Sequence, residues 1–308
     1  MALPSYSASA PGSLILMGEY AVLHGAPAVV AAIDLRLSVT VRRREDDHIH
    51  IHSALGNFTT KRRSIRPTPP FDYLLTALNV LAPSTGVDIT VTSTLPWTKG
   101  LGSSAAVTIA SLRALSALEQ HPLSSSQLHE MALAVIHRVQ GGGSGSDIAA
   151  SIHGGIIVYH PSDRSVTSIS TQPTLHAFFS GSKTTTTSIL QTLKQPHHRR
   201  NRAYVDHIHS LCVLSQRAAI LAQQGDWADF SGLMNSAQRH LQALEVSTPA
   251  IDQIISAIRT QALTINGAKI SGAGLGDCVI ALGEQLPEHF PHRPLALKIH
   301  PNGVLPPC

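Results

Sequence analysis

Three observations predict an α+β fold in two domains. Strand-like segments come in pairs between helix-like ones, not in regular strand–helix–strand repeats, which argues against a doubly wound sheet. The 308 residues are enough for two cores, or one large one. A stretch rich in Ser, Thr and Pro at 161–172 marks a soft boundary, giving expected domains of 1–165 and 166–308.

Taken in order, Ser13–Gly18, Pro27–Ile33 and Leu37–Val41 read as strands, and 47–66 reads as a hairpin. Phe71 to Val80 has helical spacing, and Val87–Ser93 alternates apolar with polar as a strand does. Helices are expected near 104–120 and 125–138, then a Gly-rich turn into Ile148–Ile152 and a strand at 154–159. In the second half a strand is expected at His176–Phe179 and helices near 184–194, 203–224, 226–243 and 249–262. A strand and Gly-rich loop follow at Ala268–Ile280; the Pro-rich tail from Pro287 carries no signal.

Hydrophobic residues make up 43% and charged ones 14%, the balance of a globular protein and not of a disordered tail. The formal charge is +4, and the basic runs at 42–44, 61–63 and 197–202 are short. With aromatics at 4% and no stacking platform, nucleic acid is not an expected partner. No window nears the ~20 apolar residues of a membrane span, and the N-terminus lacks the features of a signal peptide. Cys212, Cys278 and Cys308 form no CxxC pair and no framework, which suits a reducing cytoplasm. His48, His50 and His52 alternate along one strand face, where either a metal or simple exposure is conceivable.

Chemistry concentrates in three glycine loops. In Leu95–Val107 a Gly-Leu-Gly-Ser-Ser loop joins a strand to a helix N-terminus. Gly100 and Gly102 permit close backbone approach, and the N–H groups at the positive end of the helix dipole suit an anion. Ser103 or Ser104 either caps the helix or offers a hydroxyl to phosphate or Mg²⁺. Gly141–Asp147 ends in a carboxylate before a helical run: an N-cap, or a group that takes a proton or holds Mg²⁺. Ser271–Gly276 is a third glycine loop, and it follows a strand. Neither a Walker A motif nor the protein-kinase set occurs.

Together with Ala10–Gly25 and the Pro27–Asp34 run, these loops resemble the signatures of the GHMP kinase family from about residue 8 to 283. Within it the likeness is strongest to the mevalonate kinase branch, through 24–36 and 233–249. Tyr20, the loop at 140–150 and Gly276-Asp-Cys278 resemble the phosphomevalonate kinase branch. The resemblance implies a ribosomal-S5-like N-terminal domain and a ferredoxin-like C-terminal domain. ATP, Mg²⁺ and a small-molecule substrate, mevalonate or a phosphorylated relative, would lie between them. A homodimer is expected by analogy alone. Other small-alcohol or sugar kinases, and a family member that binds ligand without turnover, are the alternatives.

Residue by residue, the resemblance assigns Asp147 as the catalytic carboxylate and Ser104 as the Mg²⁺ ligand. Gly100, Leu101, Gly102, Ser103, Ser104 and Ala105 would bind ATP. Glu19, Tyr20, Ser144, Gly145, Gly272, Ala273 and Gly274 would border the substrate. Two positions depart from the pattern: Ser13 stands where the mevalonate kinase branch has a catalytic lysine, and Ile136 where that branch has an Mg²⁺-binding glutamate. Lys99, Lys183 and Lys269 are the candidate replacement cations.

Overall fold

The structure, a computed structural model, describes residues 4–184, 202–262 and 264–306. Strands β1 (Ser5–Met17) and β2 (Ala28–Arg43) form a long antiparallel pair, joined through a 3-10 turn at Ala21–His24. The two strands expected at 27–33 and 37–41 are therefore one. Register shifts in β1, between Pro11 and Ser13 and between Ile15 and Met17, let the pair bend without breaking.

β2 organises a seven-stranded sheet. β5 (Val87–Ser93) pairs with its Leu37–Arg43 half, and β6 (Ile156–Tyr159) with Ala28–Ala31. β3 (His48–Ser53) runs parallel to β5 and forms the expected hairpin with β4 (Gly56–Lys61). β7 (Val166–Ile169), inside the stretch expected to be a boundary, pairs with β6 at the sheet edge. Helices α1 (Asp72–Leu81), α2 (Ser103–Leu118), α3 (Ser125–Gln140) and α4 (Ser146–His153) pack around α2, which itself lies on β1 and β2. α3 starts at a Ser124/Gln127 capping box and stops at Gly141, whose φ of 75° closes the helix in the left-handed region.

A smaller antiparallel sheet has the order β8 (Leu175–Phe179), β10 (Cys278–Gly283), β9 (Ile265–Ser271). Helices α5 (Arg202–Gln224), α6 (Trp227–Ala243) and α7 (Pro249–Gln261) accompany it, with α6 and α7 against β9. Thr248 caps α7 and Pro249 opens it, where a missing N–H costs nothing. The helix expected near 184–194 lies, beyond Thr184, outside the described residues.

The two halves are tied by specific bonds. Ile15 N–H donates to Ser271 Oγ at 3.0 Å, and Ser215 of α5 donates to the Pro27 carbonyl. The tail is a strap: Leu295 N–H bonds the Ala177 carbonyl at 2.8 Å, and His300 N–H bonds that of Ala32 at 2.9 Å. His48, His50 and His52 line one side of β3, stacked edge to face and neighbouring the Arg42–Asp88–Arg44 ion pairs. Among the described residues no group of three potential ligands is arranged for a metal there, and no helix is long and apolar enough to cross a membrane.

Candidate active site

A cavity of about 1030 Å³ opens where the three glycine loops converge with the end of β1. Its walls include Gly100, Gly102, Ser103, Ser104 and Ala105 from the first loop, and Ser144, Gly145 and Asp147 from the second. Gly272, Ala273 and Asp277 come from the third, and Glu19 and Tyr20 from the turn after β1. Leu101 and Gly274 stand behind the wall. Leu101 is fully buried and accepts the Ser13 N–H at 3.1 Å; a Cβ on Gly274 would lie 2.4 Å from the Val246 carbonyl oxygen.

At α2 the serine-cap alternative fails. The N-cap is Gly102, with φ 72°, and no side chain caps the helix. Ser103 and Ser104 sit inside the first turn, so among the described residues no capping side chain claims its leading N–H groups. A Cβ on Gly102 would stand 2.2 Å from Ser13 Oγ, and one on Gly100 would stand 2.4 Å from Asp277 Cγ. The glycines thus keep a cradle open at the positive end of the helix, which fits a phosphate chain.

Asp147 is likewise not a cap. Gly145, with φ 85°, is the N-cap of α4, and Asp147 is the second helical residue. Its Oδ1 accepts the Ser13 hydroxyl at 2.8 Å. Burial pushes its carboxyl above the usual range, and the Ser13 bond opposes the shift. The preceding loop is clamped from behind. His137 bonds the Gly143 carbonyl at 2.9 Å, Tyr159 donates to that of Ser144 at 3.1 Å, and His129 bonds that of Gly145 at 3.1 Å. A Cβ on Gly145 would come within 3.0 Å of both His129 and Tyr159. Sequence reasoning missed this clamp, because the three side chains come from two other elements, α3 and β6.

The three candidate lysines separate clearly. Lys269 is fully buried and bonds Glu19 and the Ile270 carbonyl. Burial pushes Glu19 up and Lys269 down, and the charge of each partner opposes the other's shift. Lys99 lies 5.8 Å from the centre of the Phe179 ring and is not among the residues that line the cavity. Lys183 lines the cavity, held by the Trp97 carbonyl at 2.5 Å. Ile136 also lines it and supplies no ligand.

Asp277, which the sequence reading left unassigned, faces the first loop. Burial pushes its carboxyl up to about 6; Lys183 opposes that shift and the charge of Asp147 adds to it. Tyr20 donates its hydroxyl to the Ala273 carbonyl, joining the turn after β1 to the third loop. Asp147, Asp277 and Ser104 are hard oxygen donors around one cavity, a set that suits Mg²⁺ held partly by phosphates and water.

Comparison with known proteins gives the family and the fold. The family model described as "GHMP kinases N terminal domain" matches residues 72–155, and "GHMP kinases C terminal" matches 217–290. The mevalonate kinase of Aeropyrum pernix is 30% identical over 301 residues, covering 89% of this chain and 87% of that protein. That of Archaeoglobus fulgidus is 33% identical over 279 residues, covering 89% and 91%. The crystal structure of Methanococcus jannaschii mevalonate kinase superposes with a TM-score of 0.76 at 22% identity, over 95% of this chain and 98% of that one, and so shares the fold.

Proposed function

The chain belongs to the GHMP kinase family, and from that premise we propose that it is a mevalonate kinase, moving the γ-phosphoryl group of ATP to the C5 hydroxyl of mevalonate. One observation carries the reading to chemistry: a half-buried carboxylate, Asp147, oriented by Ser13, shares a cavity with a helix N-terminus whose cap is a glycine. Phosphoryl transfer asks for little beyond a positioned acceptor, a proton acceptor and fixed positive dipoles.

In the proposed reaction the C5 oxygen attacks the γ-phosphorus. The bond from that phosphorus to the β,γ-bridging oxygen breaks, ADP leaves, and the hydroxyl proton passes to Asp147. A carboxyl raised by burial is the better proton acceptor, since its affinity lies nearer that needed at neutral pH. Ser13 donates to Oδ1 and so leaves Oδ2 for the substrate hydroxyl. The backbone of Gly100, Gly102, Ser103, Ser104 and Ala105 wraps the phosphates at the start of α2. Glu19, Tyr20, Ser144, Gly145, Gly272 and Ala273 border the acceptor. Ser104 is the proposed Mg²⁺ ligand; when bound, the ion neutralises charge on the phosphoryl oxygens.

Phosphomevalonate kinase is the second reading, favoured by Tyr20 and by the Gly276-Asp-Cys278 sequence of the third loop. Coupled ADP release with mevalonate, phosphomevalonate, galactose and homoserine decides between them. Fastest turnover is expected with mevalonate. A preference for phosphomevalonate replaces the first reading with the second, and no turnover with any of the four removes the kinase assignment.

A further inference from the structure

Among the carboxylates that line the cavity, Asp277 is one for which the reaction above has no use. Asp277 sits between β9 and β10, its backbone pinned on both sides. Its N–H donates to the Ser182 carbonyl at 2.8 Å, and its carbonyl accepts the Ser180 N–H at 2.9 Å. The side chain is thereby directed at the nucleotide-type loop, where only a glycine at position 100 leaves room for it. A Cβ there would stand 2.5 Å from Asp277 Oδ1. On the other side, a Cβ on Gly272 would stand 3.6 Å from Oδ2.

Asp277 is 7% exposed, and among the described residues its Oδ1 has no hydrogen-bond partner. A buried carboxylate oxygen without a partner is costly, and such groups are normally satisfied by a donor or a cation. Lys183 influences Asp277 electrostatically, but its ammonium is engaged by the Trp97 carbonyl. The residue lines the same cavity as Asp147, Ser103 and Ser104. A phosphate chain lying on α2 would bring more negative charge beside two carboxylates. Such an arrangement is repulsive unless a cation lies among the oxygens. A hard divalent ion ligated by one or two carboxylates, a hydroxyl, phosphate oxygens and water meets that need.

We propose that Asp277 is a ligand of the divalent metal that enters with the nucleotide, reaching it from the loop between β9 and β10. The inference rests on the kinase reading, but it is independent of which alcohol accepts the phosphoryl group. It explains how a metal site persists where Ile136 supplies no oxygen. Asp277 supplies a carboxylate to the same cavity from a different loop.

The test uses the full chain, Mn²⁺ and the non-hydrolysable β,γ-imido analogue of ATP. Free Mn²⁺ is read by electron paramagnetic resonance, and analogue binding is read separately in excess EDTA. Asp277→Asn is expected to weaken Mn²⁺ binding to the protein–analogue complex by about 10-fold or more. Binding of the metal-free analogue should stay the same or tighten, because a negative charge facing the phosphates is gone. Mn²⁺ affinity equal to wild type overturns the inference, and so does an equal loss of metal-free analogue binding, which marks a packing residue. Should the variant fail to melt cooperatively, crystals of the wild-type protein with Mg²⁺ and the analogue decide. The metal is expected about 2.1 Å from an Asp277 oxygen; a metal bound elsewhere overturns the proposal. A wild-type protein that binds no analogue at all sinks the kinase reading and this inference with it, whereas the other contrary outcomes sink only the inference.

Discussion

Ser13 and Asp147 are 134 residues apart and joined by a 2.8 Å hydrogen bond, from the middle of β1 to the first turn of α4. Where related kinases place a positive charge, this chain places a neutral donor. The carboxylate is oriented without being neutralised, so its basicity is set mainly by burial. Asp147→Asn keeps an acceptor for Ser13 and removes the proton acceptor. A fall in kcat of at least ~10² is expected, with the KM for ATP little changed. Steady-state kinetics at saturating ATP check this, and a near-normal kcat would reduce Asp147 to a structural residue.

Ser13→Ala removes the orienting bond alone. A hydrogen bond to a charged group contributes about 1.5–3 kcal/mol to a fold, so a modest loss of stability is expected beside a fall of roughly 10- to 100-fold in kcat. Steady-state kinetics at a temperature well below the melting point of the variant check this, and an unchanged kcat would show that the bond does not orient the reacting carboxylate.

Gly102→Ala tests the cradle. Its φ of 72° strains any side chain, and the added Cβ would meet Ser13 Oγ at 2.2 Å. Strain of about 1–3 kcal/mol there should weaken the ATP analogue by some 10-fold or more. Isothermal titration with the analogue reads it directly; unchanged affinity would show that the first loop does not hold the phosphates.

The Lys269–Glu19 pair lies between the two halves and is almost inaccessible, with Lys269 0% and Glu19 4% exposed. Lys269→Met leaves a buried carboxylate alone and should cost about 3–5 kcal/mol, whereas the Glu19→Gln, Lys269→Met double variant should cost less. Urea unfolding of the four-member cycle gives the coupling. A double variant worse than the sum of the singles would refute the pair as a coupled unit.

His129 sets a pH dependence of stability. Burial holds its imidazole below the ordinary value of 6.5, so the unfolded chain binds the proton more readily than the folded one. The contribution is therefore intact above pH 6.5 and lost as pH falls below it. The fall in Tm between pH 7.5 and 5.5 should be smaller for His129→Gln than for wild type; an equal fall would assign the acid sensitivity to other groups.

Much of this was legible in the chain. The glycine loops, the hairpin and β5 follow from local rules, because turn residues and alternation act within a few positions. The element β2 did not, since Asp34 and Arg36 interrupt its apolar pattern and only the partner β1 shows it to be continuous. Val166–Ile169 is a strand because β6 offers an edge, and no local propensity announces that. Leu295 and His300 acquire their role as a strap only where both sheets lie within reach.

The same division runs through the site. The sequence by itself determined the family, the three loops and Asp147 as the residue to test, because glycine spacing and one acid before a helix are properties of neighbouring residues. Tertiary structure decided what faces that acid. It turned Ser13 from a missing charge into a hydrogen-bond donor and took Lys269 out of contention by burying it against Glu19. It also gave Asp277 a place in the cavity wall, with one oxygen unpartnered among the described residues. Burial and pairing across more than a hundred residues set those charges, and a linear pattern carries no distance between its ends.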